Sequence, residues 1–339
     1  MNTETLDQPI VADVAVSAPA VVIESAAPAV AAVAEGPNPF IALGLDGALV
    51  RAVSDLGYTQ PTEVQAKVIP LAMGSGKADE ASIDLMVSSQ TGSGKTAAFL
   101  LPVLNTLIAQ KAIEAAAEQA EFERQRAQAA ASGEAAPKRA KRKNPMQPRN
   151  FKAAVPGALV LCPTRELAQQ VAQDAIELVK HCKNLRVANV VGGMPYQLQI
   201  AKLQNADLVV ATPGRLLDLQ RSLQIKLDKV QFLVVDEADR MLDLGFADDL
   251  EEVHQMTAQR KQTMMFSATF APRIQQLAMR VMHDGGANVQ KITIATPQQG
   301  HDNIQQKLYW ADHAQHKRKL LDHWLRDTTI NQAIVFAST

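Results

Sequence analysis

The sequence predicts an α/β fold in which helices cover both faces of a parallel sheet. Three observations predict it. Short, continuous runs rich in Val, Leu and Ile recur along the chain, as suits strands buried on both faces. Helix-like stretches separate the runs, and strands that alternate with helices form parallel sheets. Each run also leads directly into a polar or Gly-rich segment. Ligands of open α/β sheets bind outside the carboxyl ends of the strands, so these segments predict one continuous working edge. A structural protein has no need to repeat polar chemistry there.

Taken in order, residues 1–36 are rich in Ala, Val and Pro, carry only the acidic charges Glu4, Asp7, Asp13, Glu24 and Glu35, and hold no sustained period. A disordered tail is expected. The main domain is expected over residues 37–284. Its runs are Asp84–Ser88, Ala158–Cys162, Val187–Val191, Asp207–Ala211, Phe232–Val235 and Thr263–Phe266. They lead into Gln-Thr-Gly-Ser-Gly-Lys-Thr, Pro-Thr-Arg-Glu, Gly-Gly, Thr-Pro-Gly-Arg, Asp-Glu-Ala-Asp and Ser-Ala-Thr.

Residues 110–156 interrupt this order. Lys111 to Ala131 is Ala-rich with Glu, Gln and Arg and suits a solvated helix. Lys138, Arg139, Lys141, Arg142 and Lys143 follow among Pro137, Pro145 and Pro148, a basic tip expected to be disordered. It reads equally as a solvated linker and as a sequence-independent contact to RNA. Residues 285–304, with Gly285, Gly286, Pro297 and Gly300 in polar sequence, read as an inter-domain linker. Residues 305–339 then read as the truncated start of a second α/β domain, with a helix near His316–Trp324 and a strand-like run Ala333–Phe336. With the partner strands missing, residues 301–339 are expected to be poorly ordered, or loosely docked on the first domain.

Composition excludes some classes. Of 339 residues, 47% are hydrophobic and the formal net charge is −1, so a sizeable core is possible and any basic surface must be local. Cys162 and Cys182 lack zinc-site spacing and make no disulfide framework; reduced thiols in a cytoplasmic protein are expected. No run approaches the ~18 apolar residues of a membrane span. No Lys or Arg precedes Arg51, so a secretory leader is not expected.

The chemistry lies at the run ends. Ser89-Gln90-Thr91-Gly92-Ser93-Gly94-Lys95-Thr96 follows a strand and opens a helix, the context of a phosphate loop. Gly92 and Gly94 let backbone N–H groups close around phosphates, and the helix N-terminus adds its positive end. Lys95 is placed to reach the β- and γ-phosphates, and the Thr96 hydroxyl to ligate Mg²⁺. Alone, the match also describes a Gly-rich turn. Gly74-Ser-Gly-Lys77 is a decoy, because Ala78 offers no hydroxyl. Asp236-Glu237-Ala238-Asp239 supplies the matching acidic element. Asp236 is assigned to Mg²⁺ through water, Glu237 to polarising the attacking water, and Asp239 to tying this loop to its neighbours. Helix capping explains one such carboxylate, not three after a buried strand.

With these motifs in this order over residues 38 to 339, the chain resembles the DEAD-box ATP-dependent RNA helicases of superfamily 2, whose name Asp236–Asp239 spells. The compact core and Ala-rich tail point to a bacterial source. The resemblance implies a RecA-like first domain. Gly57–Gln65, with Phe40 upstream, resembles the Q motif of about residues 38–66. It implies that Gln65 reads the adenine edge and Phe40 stacks on the base, making ATP the nucleotide. Glu63 stands where a second Pro is common. Pro163-Thr164-Arg165, Gly192-Gly193 and Thr212-Pro213-Gly214-Arg215 resemble the RNA-backbone motifs. Thr hydroxyls, Gly N–H groups and Arg guanidinium are phosphate ligands and none is set to read bases. Binding is expected to be salt-dependent, with 2′-OH contacts favouring RNA. Ser267-Ala268-Thr269 resembles the motif that couples hydrolysis to strand separation. The Arg-rich motifs of the family's second domain do not occur, so weak ATP binding and slow hydrolysis are expected of this chain. A DNA helicase of the same superfamily and a non-enzymatic RNA-binding fragment are the alternatives. A P-loop kinase leaves the later motifs unexplained.

Overall fold

The computed structural model describes residues 38–74, 83–132, 152–294 and 307–337. All six apolar runs are strands: β1 (Leu85–Ser88), β2 (Ala158–Leu161), β3 (Val187–Val190), β4 (Leu208–Ala211), β5 (Phe232–Val235) and β6 (Gln262–Ser267). A seventh, β7 (Gln290–Thr293), completes a parallel sheet in the order β3-β4-β2-β5-β6-β1-β7.

Alternate residues of each strand point to opposite faces, and both faces are covered. Leu85, Val87, Val160, Val210, Val234 and Phe266 enter one core with residues of α1 (Gly47–Asp55), α2 (Glu63–Met73), α3 (Lys95–Ser132) and α4 (Arg165–Leu178). Met86, Leu159, Val209, Leu233 and Met265 enter the other. They meet α5 (Tyr196–Leu203), α6 (Pro213–Arg221), α7 (Ala238–Asp243), α8 (Ala247–Met256) and α9 (Pro272–Val281). The chain thus crosses from β1 outward to β3 with its helices on one face. It returns from β3 to β7 with them on the other, as a doubly wound sheet of right-handed crossovers requires.

The phosphate-loop helix α3 is longer than the residue pattern suggests. Its 38 residues run about 57 Å at ~1.5 Å per residue. Near the far edge of the sheet, Gln110 and Gln231 exchange two amide hydrogen bonds of 2.7 and 3.0 Å, and Lys111 pairs with Asp207 at 2.9 Å. Beyond Lys111 the helix is mostly solvated. The interruption expected from residue 110 is therefore, as far as Ser132, the same helix leaving the body. Its basic tip lies outside the described residues. Among the described residues α3 alone is long and apolar enough to cross a membrane, and half of the window concerned is buried in the protein.

The linker expected over 285–304 needs correction. Gly285 and Gly286 close a 3-10 turn, and Gln290–Thr293 then pair with Leu85–Ser88 as β7. Only Ile292 of β7 is buried, so this edge strand carries no apolar run. Asp84 anchors the turn: its carboxylate accepts from the His283 backbone N–H at 2.8 Å and the Thr263 N–H at 2.6 Å. Residues through Ile294 belong to the first sheet, and the rest of the expected linker lies outside the described residues. Downstream, α10 (Ala314–Leu325) forms where a helix was expected, with no buried residue. Ala333–Phe336 forms no strand, and Phe336 is 91% exposed. An apolar run needs a neighbouring ladder to become a strand, and none lies beside it among the described residues.

Candidate functional site

Two groups of strand ends carry the expected residues. The ends of the neighbours β5, β6 and β1 hold the acidic motif, the Ser-Ala-Thr segment and the phosphate loop. Those of β3, β4 and β2 hold Gly192-Gly193, Thr212–Arg215 and Pro163–Arg165.

The phosphate loop joins β1 to α3. Gly92 and Gly94 have φ of 79° and 90°, a region that favours glycine. At Gly94 space is tight as well, since a Cβ would lie 2.6 Å from Gln65 Nε2. Lys95 is buried and donates from Nζ to the Ser89 carbonyl at 3.1 Å. Ser93 Oγ donates to Ser89 Oγ at 3.2 Å. Thr96 is half-buried at the start of α3, and Gln90 and Thr91 are exposed. The loop is also tied to the coupling segment: the Ser89 N–H donates to the Ser267 carbonyl at 3.2 Å and Ser88 Oγ to the Ala268 carbonyl at 3.0 Å.

Gln65 reaches this loop from α2. Thr62 caps α2, and the Gln65 side chain returns the bond, accepting from the Thr62 N–H at 3.0 Å in a capping box. Its Nε2 donates to the Gly94 carbonyl at 3.1 Å. One amide hydrogen and one lone pair remain for a base edge. Phe40 differs from expectation. Its side chain is fully buried in the α1–α4 core and presents no face to a base. The exposed aromatic of this segment is Tyr58, 40% exposed. The motif's residue types did not reveal which ring faces outward.

At the end of β5, Asp236 is only 3% exposed. Burial raises its carboxyl pKa to about 6, against the pull of nearby Lys95 and with a further push from Glu237. Its Oδ1 accepts the Glu237 N–H at 3.0 Å. Glu237 sits in the left-handed region at φ 49°, ψ 53°, a conformation that costs a non-Gly residue about 1–3 kcal/mol and clusters at functional sites. Its carboxylate lies 3.4 Å from Arg240 Nη1. Asp239 starts α7 half-buried, and among the described residues its side chain makes no hydrogen bond; the expected tie to its neighbours is not formed. Thr269 N–H makes a long 3.5 Å contact to Ser267 Oγ. Cys162 lies close by, but burial and the two carboxylates push its thiol well above the ordinary range, which rules it out as a nucleophile at neutral pH.

The other strand ends line a cavity of about 490 Å³. Thr164 caps α4 through a 3.3 Å bond from the Leu167 N–H, and Thr212 precedes α6, where Pro213 takes the first turn. Two helix N-termini thus open at the groove with their positive ends. Arg165 lies against the glycine pair, where a Cβ on Gly193 would meet its Nη1 at 2.6 Å. Arg215 and Gly214 line the same wall. Glu166, the fourth residue of the Pro-Thr-Arg-Glu segment, lines the groove as well, and so do Leu244 and Phe246, which residue patterns missed. Leu244 and Phe246 belong to none of the motifs, and Leu244 is 52% exposed.

The description "DEAD/DEAH box helicase" belongs to the family model that matches residues 62–277. The ATP-dependent RNA helicase SrmB of Escherichia coli (strain K12) is 36% identical over 299 residues, covering 88% of this chain and 56% of that protein. DEAD-box ATP-dependent RNA helicase 52A of Oryza sativa subsp. japonica is 39% identical over 288 residues, covering 84% and 42%. This chain thus spans about half the length of the curated relatives it matches. Among solved structures, a hypothetical ATP-dependent RNA helicase from Sulfolobus tokodaii matches with TM-score 0.54 and 32% identity, over 74% of this chain and 57% of that one. S. cerevisiae Dbp5 bound to RNA and ADP BeF3 matches with TM-score 0.54 and 28% identity, over 76% and 52%.

Proposed function

The chain belongs to the DEAD/DEAH box helicase family, and from that premise we propose that it is the ATP-hydrolysing, RNA-gripping core of an ATP-dependent RNA helicase. One observation carries the reading. The sheet order sorts the motifs into a nucleotide half at β5-β6-β1 and a backbone-binding half at β3-β4-β2, side by side on one edge. Relatives named as ATP-dependent RNA helicases, and a neighbour solved with RNA and ADP BeF3, support the same assignment.

In this reading the Ser89–Thr96 N–H groups cradle the phosphates, and Lys95 exchanges the Ser89 carbonyl for phosphate oxygens. Gln65 spends its free hydrogen and lone pair on the adenine edge. Tyr58 is better exposed than Phe40 to stack on the base. Asp236 and Thr96 would hold Mg²⁺. They fit it: Asp236 keeps an oxygen without a hydrogen-bond partner among the described residues, and the Thr96 hydroxyl is a hard oxygen ligand. The ion supplies neutralisation of phosphate charge. Glu237 orients the attacking water and takes its proton. Arg165, Arg215, the Gly192–Gly193 N–H groups and the two helix N-termini hold RNA phosphates. Duplex unwinding or RNP remodelling would follow from coupling the halves through β5 and Ser267–Thr269. Two thiols, one of them buried, fit a reducing compartment such as the cytoplasm.

The test is competition binding with a labelled single-stranded RNA, in the presence of Mg²⁺ and a non-hydrolysable ATP analogue. RNA should compete better than DNA of the same sequence, with affinity falling steeply as salt rises. Equal competition by DNA would favour a DNA-acting relative.

A further inference from the structure

Arg215 does not stand alone in the groove. Its guanidinium carbon lies 5.6 Å from the centroid of the Tyr196 ring, and its Nη1 is 3.2 Å from the Asp218 carboxylate. Tyr196 opens α5, one turn after the glycine pair, and its hydroxyl hydrogen-bonds Ser222 Oγ at the end of α6. Ser222 Oγ donates in turn to the Asp218 carbonyl at 2.8 Å. Tyr196 therefore spans the two helices that follow β3 and β4, and its ring lies under the cation that lines the groove.

An arginine side chain has many rotamers, and a flexible cation loses entropy when it grips a phosphate. A ring beneath the guanidinium and a carboxylate beside it remove most of that freedom in advance. Stacking uses the cation's flat face and leaves the remaining N–H edge free. We infer that Tyr196 is a positioning residue for RNA binding, pre-setting Arg215 toward a backbone phosphate and joining the Gly192–Gly193 segment to the Thr212–Arg215 segment as one phosphate-binding unit. The inference rests on the reading of this groove as the RNA site.

The experiment is a double-mutant cycle, measuring the affinity of a fluorescein-labelled oligouridylate across a salt series. R215A should weaken binding and flatten its salt dependence. Y196L should weaken it about two- to thirtyfold, the range of a cation–π contact from exposed to desolvated. Y196L should add nothing in the R215A background, because its effect passes through Arg215. Y196F, which restores the ring, should recover most of the loss. Should Y196L fail to fold, pentafluorophenylalanine at position 196 keeps the shape and reverses the ring's quadrupole, and should weaken binding relative to Y196F. If Y196L binds as the wild type while R215A does not, the inference is wrong and the groove stands. An equal loss from Y196L with and without Arg215 also overturns it, since Tyr196 would then act only on the fold. If R215A itself binds as the wild type, the inference and the groove reading fall together.

Discussion

At the scale of single residues, Asp236 carries a buried carboxylate that costs the fold stability. Its carboxyl pKa stands at about 6 against an ordinary 3.8, a difference on the order of 3 kcal/mol against the ionised form. The shift is upward, so the cost is fully present above pH 6 and disappears as pH falls toward 4. D236N should therefore raise the thermal midpoint of the nucleotide-free chain by a few degrees at pH 7, while abolishing Mg²⁺-dependent ATP binding. The advantage should shrink on acidification; a gap that stays constant from pH 7 to pH 4 would mean that the buried charge is not its source. Glu237 calls for a different outcome. E237Q should retain ATP affinity and lose hydrolysis, because only the proton acceptor is removed. Hydrolysis at the parent rate would take Glu237 out of the mechanism. The placement of Lys95, Asp236 and Glu237 at the ends of neighbouring strands was legible in the sequence, because their motifs directly follow apolar runs. Phe40 was not, because a motif names a ring without saying which way it faces. Burial settles it, and burial depends on helices distant in sequence.

At the scale of elements, the nucleotide half is held together by α3 and β6. Phe99 and Phe266 are both fully buried, with ring centroids 5.2 Å apart. Phe266 directly precedes Ser267, whose carbonyl accepts from the Ser89 N–H. Phe99→Ala should cost about 3–5 kcal/mol by denaturant titration, the range for aromatic truncation in a core. Lys111→Ala, near the middle of α3 where the helix leaves the sheet, should cost less than about 1 kcal/mol, since its partly exposed pair with Asp207 is screened. A loss from Lys111→Ala as large as that from Phe99→Ala would place the anchor of α3 at the point where it leaves the sheet. Strands such as β2, β4 and β5 were legible because residues buried on both faces are apolar without interruption. β7 was not, because an edge strand with one buried residue looks like linker. The length of α3 was hidden for a related reason: composition shifts at residue 110 from buried to solvated, while the backbone stays helical.

At the scale of the molecule, the sheet order gives the proposed nucleotide and RNA sites neighbouring places on one scaffold. β5 lies between β2 of the backbone-binding half and β6 of the nucleotide half. The chain leaving β5 passes through Asp236 and Glu237 and then supplies Leu244 and Phe246 to the groove. In the proposed reading, a change at the phosphates thus has a short covalent path to the groove. Slow amide exchange is expected in β5 and fast exchange in Ala333–Phe336, which is solvated and unpaired; strong protection there would mean that this run pairs in solution. The central claim is that two separate sites share this edge. It is tested most directly by equilibrium binding of fluorescent ATP and of fluorescent RNA, each measured alone, to the wild type, K95A and R165A. The account predicts that K95A loses ATP affinity and keeps RNA affinity, and that R165A does the reverse. Loss of both ligands in each variant, with the fold intact, would contradict it.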